Sequence, residues 1–153
     1  MLTALQVQQI AAIDETNMVA MMRDMGIDFS LERRIADIAA AAEKGVRFVL
    51  VERNESVVAY LSYVVVNEVL KVGSIQLAPL AGRYVMRALL SEAVKAAASE
   101  NFSTVRSKVY ADNHASIRLH ENLGFEETQR TDGVIVFATS RQQLNTALSC
   151  FGI

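Results

Sequence analysis

His120, Ser116 and Asn113 fall on one short segment, and each has a side chain that can exchange a proton or a hydrogen bond with a ligand. An imidazole with an unperturbed pKa near ~6.5 is partly charged at neutral pH, so a ligand-facing His120 is a pH-sensitive proton donor. The bland alternative is a half-exposed histidine on a helix with no chemistry to do. A second group of interest lies earlier, where Gly82, Arg83 and Arg87 precede and enter an apolar helical run. Amides at a helix start point outward and carry about half a positive charge, so such a junction suits an anion.

The elements that must position these residues follow from capping and periodicity. Asp112 and Asn113 are good N-cap types, Ile117, Leu119 and Leu123 supply apolar helical positions, and Gly124 supplies a left-handed stop before Phe125 restarts an extended segment. Upstream, Leu5, Ile10, Ile13, Val19, Met22 and Met25 mark a long N-terminal helix, broken near Asp14 and ended by Gly26. Ser30 caps a second helix through Ile35 and Ile38 that Gly45 stops. Residues 47–51, 57–66 and 69–78 are rich in β-branched types, with polar turns at 54–56 and 67–68, and imply three antiparallel strands in a meander. A helix over 82–99, a strand over 104–110, the capped helix and two strands joined across Thr131-Asp132-Gly133 follow. The tail is expected to be helical over 142–148.

This order resembles the GNAT N-acetyltransferases over nearly the whole chain, and one block carries most of the resemblance. The family's usual form is an Asn, three residues on a small residue, then Leu-Tyr-Glu-Lys-x-Gly-Phe. Asn113, Ser116, Leu119, Glu121, Gly124 and Phe125 stand at the matching spacing, with His120 where the family has Tyr. The resemblance implies an α/β (α+β) fold: one domain over 1–140 with a mixed, mostly antiparallel central sheet of about six to seven strands flanked by about four helices. Residues 141–153 form a C-terminal tail packed on that domain or in a dimer interface.

What the resemblance implies for the site can be carried over residue by residue. The pyrophosphate of an acyl-coenzyme A belongs at the strand-to-helix junction of residues 76–90, where the family has Arg or Gln, two residues, Gly, one residue, then Gly or Ala. Counting back from Leu89 and Leu90 puts Ala81, Tyr84 and Met86 at those positions, so none matches, while Gly82 and Arg83 fit the loop and Arg87 adds charge. Backbone amides near Leu77 and Ala78 are expected to polarise the acyl carbonyl. His120 takes the place of the acid that protonates the leaving thiolate, Ser74 stands nearest to where many relatives carry a Glu base, and Asn113 with Ser116 contacts the coenzyme.

The expected activity is acyl-coenzyme A dependent N-acyl transfer, moving acetyl from acetyl-CoA to a primary amine on a small molecule or peptide, with no metal. The rival is a non-catalytic GNAT-like binding or regulatory module, motivated by the missing glycines and the missing Tyr. Acceptor choice in this family is set mainly by the first two helices. Here they carry Asp14, Glu15, Asp24, Asp28 and Glu32 around Met18, Met21, Met22 and Met25, a surface suited to a cationic amine.

Composition bounds the remainder. With 153 residues, 52% hydrophobic content and a net charge of -2, the chain can bury a substantial core and has no basic stripe, so no nucleic-acid partner is expected. Charges interrupt every apolar run before the ~18 residues a membrane helix needs, and the N-terminus lacks a basic-then-apolar signal pattern, so a cytoplasmic protein without a membrane partner is expected. Cys150, the sole cysteine, excludes an internal disulfide and a cysteine-cluster metal site. Leu144, Leu148, Cys150, Phe151 and Ile153 make the tail apolar beyond what the domain's own core needs, which implies a two-fold homodimer.

Overall fold

The computed structural model describes residues 1–153, and its element order follows the sequence reading closely. Helices α1 (Ala4–Asp24) and α2 (Leu31–Glu43) precede strands β1 (Arg47–Arg53), β2 (Ser56–Val66) and β3 (Val69–Leu77). Then come α3 (Val85–Ala97), β4 (Thr104–Tyr110), α4 (His114–Asn122), β5 (Glu126–Thr131), β6 (Val134–Ser140) and α5 (Arg141–Cys150). The six strands form one sheet in the order β1-β2-β3-β4-β6-β5, within the expected six to seven, and five helices stand where about four were expected. It is an α+β fold, mostly antiparallel, with β3 and β4 running parallel from Val69 to Val72. Asp132 and Gly133 both take positive φ, 52° and 76°, as the two-residue turn between β5 and β6 requires.

Two compact units divide the chain, residues 1–62 with 74–98, and residues 63–73 with 99–153. In the first, Thr3 and Ser30 cap α1 and α2 through side-chain acceptors. Val7, Ile10, Ala11 and Ile13 of α1, Ile38 of α2, and Val57 and Tyr60 of β2 form its core. The expected break of α1 near Asp14 does not occur. Asp14 is instead fully buried, and its charge is met inside the unit: Oδ2 accepts from Arg34 Nε at 2.6 Å and Oδ1 accepts from the Tyr60 hydroxyl at 2.5 Å. Asp14 is therefore not part of an acidic acceptor surface, because two helices and a strand close over it. Burial, then the neighbouring Asp14 charge, raises the Tyr60 pKa strongly, so the phenol stays a donor.

In the second unit, β4 and β6 pair so that Val105 faces Thr139, Ser107 faces Phe137 and Val109 faces Ile135, and all six are buried. Opposite residues of an antiparallel pair share a face, so these six make one inward surface. At the end of the sheet, β5 is exposed along all six residues and carries a register irregularity between Glu127 and Gln129.

The tail is helical over Arg141–Cys150, slightly beyond the expected 142–148. Ser140 caps α5, and Leu148 on that helix is only 4% exposed in the single chain, so the tail contributes to its own unit's core. Arg141 donates to the carbonyls of Glu100 and Phe102, with its guanidinium 4.0 Å from the Phe102 ring centroid. Ending the chain at Ser140 is expected to lower stability by about 3 kcal/mol, the loss of one buried Leu and these bonds. An unchanged thermal midpoint in the shortened protein would show that α5 is dispensable.

Candidate active site

The strand-to-helix junction is built within the first unit. β3 ends at Leu77, whose carbonyl accepts from Asn17 Nδ2 at 2.8 Å, while the same amide group donates to Gln76 Oε1 at 3.0 Å. Asn17 of α1 thereby fixes the end of the strand from which the loop departs. Ala78 was expected to offer its amide to an acyl carbonyl, but that N–H donates to the Val58 carbonyl at 2.8 Å and is committed inside the sheet. Leu77 alone remains of the two expected amides. Ser74 lies half-buried on the same strand.

The loop then turns through Leu80, at a φ of 63°, and Gly82, at 101°. A Cβ on Gly82 would meet nothing nearer than Val85 Cγ2 at 4.0 Å, so what holds glycine there is the backbone angle and not crowding. Helix α3 starts three residues later than the sequence suggested, at Val85, which is buried and anchors the first turn. Tyr84 occupies the N-cap position and makes no side-chain cap bond, whereas Thr3, Ser30, Asn113 and Ser140 cap the other four helices. Tyr84 is 68% exposed, with the Arg83 guanidinium 5.7 Å from its ring centroid, and Arg87 is exposed one turn on. Met86 is half-buried. An uncapped helix start with a left-handed glycine and two arginines fits a phosphate group. The side chains at 84 and 86 limit how closely backbone and ligand can approach.

Helix α4 sits in the second unit. Asn113 Oδ1 accepts from the Ser116 amide at 3.1 Å, the cap the sequence implied. His120 is not half-exposed: its ring is 3% exposed and rests on the cross-strand pair Ser107 and Phe137. It stacks on Phe137 at 5.1 Å and meets Phe125 edge-on at 5.0 Å. Nδ1 lies 2.7 Å from the Ser116 carbonyl oxygen and Nε2 lies 2.8 Å from Ser107 Oγ. A carbonyl can only accept, so Nδ1 carries the proton and Nε2 accepts from the Ser107 hydroxyl. Burial lowers the His120 pKa against the opposing Ser116 bond. The charged fraction expected at neutral pH is thus reduced, because the ring is desolvated and both nitrogens already have partners.

Sequence reasoning passed over Ser107, Asn17 and Arg34. Ser107 had a visible signal: it is the polar member of the inward alternation Val105, Ser107, Val109 on β4. Asp14 and Asn17 likewise fall at helical spacing from Ile10, polar residues on an apolar stripe.

A family model described as the acetyltransferase (GNAT) family matches residues 14–125. No curated protein sequence matches the chain. Among solved structures, the ribosomal-protein-alanine N-acetyltransferase of Brucella melitensis is 23% identical and superposes with a TM-score of 0.68 over 91% of this chain and 96% of that one. The PaiA N-acetyltransferase of Thermoplasma acidophilum, solved with coenzyme A, is 12% identical with a TM-score of 0.72 over 91% and 95%. An acetyltransferase of Streptococcus agalactiae is 14% identical with a TM-score of 0.73 over 92% and 94%. At such identities the structural likeness speaks for the fold, and the family model speaks for the lineage: this chain belongs to the acetyltransferase (GNAT) family.

Proposed function

We propose that the protein transfers an acetyl group from acetyl-coenzyme A to a primary amine. The observation that carries this reading is the uncapped start of α3 behind Gly82, in a chain of this family. Acetyl-coenzyme A supplies the acyl thioester, and the chain's own residues bind, orient and handle protons. Gly82, Arg83 and Arg87 hold phosphate at the helix start, and the Leu77 N–H polarises the acyl oxygen. Ser74 relays the amine proton to water, since a hydroxyl is too weak a base to take it alone. His120 acts as a positioning residue: by holding Ser116 and Ser107 it fixes α4 on β4. The acceptor is a cationic amine, either a small molecule or a peptide N-terminus. Asp24, Asp28 and Glu32 are exposed around the α1–α2 connection, with Met25 and Ile27 exposed between them.

Titration calorimetry with acetyl-coenzyme A tests the reading. Changing Tyr84→Gly and Met86→Ala together is expected to tighten coenzyme A binding about tenfold, or ~1.4 kcal/mol, because both restore close backbone approach at the helix start. No gain from a folded double variant would mean that the loop is not a pyrophosphate site. The second reading, a module that has lost transfer, is favoured by those same side chains and by the burial of His120. Binding weaker than millimolar with every acyl chain length, together with no acetyl transfer to any amine tested, would select it.

A further inference from the structure

The loop ahead of α3 presents apolar and basic groups outward where a coenzyme cradle would present backbone. Leu80 is fully exposed, and it holds a φ of 63°, a left-handed angle that a leucine adopts only when its surroundings impose it. Tyr84 follows four residues later in the same loop, 68% exposed, with Arg83 against its ring. Between Ala78 and Ser91 the chain carries Arg83 and Arg87 and no acidic residue, although the whole protein has a net charge of -2. An exposed leucine and tyrosine among cations make a docking face for an acidic partner, with the aromatic residue as its anchor.

Resting on the acetyl-transfer reading, we propose that the preferred donor is an acidic carrier protein that presents the acyl group on a phosphopantetheine arm. Free coenzyme A must be held through its pyrophosphate, and that needs the close backbone approach which Tyr84 and Met86 restrict. A carrier-bound arm ends in a single phosphodiester and brings a protein surface of its own. Its affinity comes from Leu80, Tyr84 and the arginines, and one phosphate at the start of α3 is enough. Transfer balances in the same way with either donor. The amine nitrogen bonds to the acyl carbon as the carbon–sulfur bond breaks, and the sulfur keeps the bonding pair and takes up the proton the amine loses, leaving a thiol on the arm.

Calorimetry on the intact protein with three probes tests this: an acidic acyl carrier protein bearing an acetyl-phosphopantetheine arm, the same carrier without the arm, and acetyl-coenzyme A. The acetylated carrier is expected to bind at least about tenfold more tightly than acetyl-coenzyme A, with an affinity that falls as salt rises. Leu80→Asp places a like charge in the face at a φ that Asp tolerates better than Leu, so folding is preserved and the thermal midpoint should not drop. That variant should lose about tenfold in carrier affinity, a larger loss than it shows for acetyl-coenzyme A. Acetyl-coenzyme A binding as tight as the carrier, or carrier binding indifferent to Leu80→Asp, overturns the donor assignment and leaves acetyl transfer standing. Failure of all three probes overturns both.

Discussion

An Arg34→Met protein is expected to be about 3–5 kcal/mol less stable than the wild type, lowering its thermal midpoint by roughly 6–20 °C. The reason is where the partner carboxylate sits. Asp14 is fully buried and takes one donor on each oxygen, from Arg34 Nε and the Tyr60 hydroxyl. Methionine keeps the stem of the side chain, so packing changes little, yet the fully buried carboxylate is left with a single hydrogen bond, from Tyr60. Exposed pairs such as Lys95 with Glu92 contribute at most about 1 kcal/mol, so a loss on the larger scale would identify the buried group as its source. Adding Asp14→Asn to Arg34→Met should recover a large part of the loss, because the orphaned charge disappears. Urea denaturation of the two single variants and the double variant measures the coupling. A deficit below about 1 kcal/mol for Arg34→Met would show that Asp14 finds relief elsewhere.

Replacing His120 by Phe should destabilise the protein by about 2–3 kcal/mol at pH 7.5, because the ring still fills the space against Phe137 while the buried Ser107 hydroxyl loses its partner. Combining Ser107→Ala with His120→Phe should restore most of it. The deficit should also depend on pH in a fixed direction. Burial lowers the folded-state pKa of His120 below its unfolded value of 6.5, so the unfolded chain gains a proton first as pH falls. The histidine's contribution is complete above pH ~6.5 and fades as pH drops below it, so the two proteins should converge on the acid side of that value. Once an amine acceptor is known, kinetics separate the roles. A positioning residue predicts a fall of roughly tenfold in kcat with the shape of the pH–rate profile kept. Loss of a limb near neutral pH would instead make His120 the general acid.

Most of the fold was legible because its boundaries are set by local chemistry. Thr104–Tyr110 is strand over the range its alternation implied, and Ser30, Asn113 and Gly124 begin and end helices as capping rules require. What could not be read was long-range pairing. Asp14 looks like a helix interruption or a surface acid until Arg34 and Tyr60, twenty and forty-six residues away, are brought to it. The environment of His120 is likewise made by Ser107 and Phe137, which only the register of β4 against β6 places side by side. The late start of α3 escaped for a different reason: Gly82 can either enter a helix or turn away from it, and only its φ of 101° decides.

The edge strand β5 bears on how two copies of this chain could meet. Glu126, Glu127 and Arg130 are exposed along it, a bidentate Arg130–Glu127 pair straddles the irregularity, and no residue of the strand is buried. A second molecule approaching that edge would have to strip water from these charges and match a backbone whose spacing is broken, so β5 works as a terminator of the sheet. A two-fold assembly at this end of the sheet must therefore join through side-chain packing and not by continuing the sheet. The same property predicts that concentrated protein should resist fibre formation from this end of the sheet, however hydrophobic its overall composition.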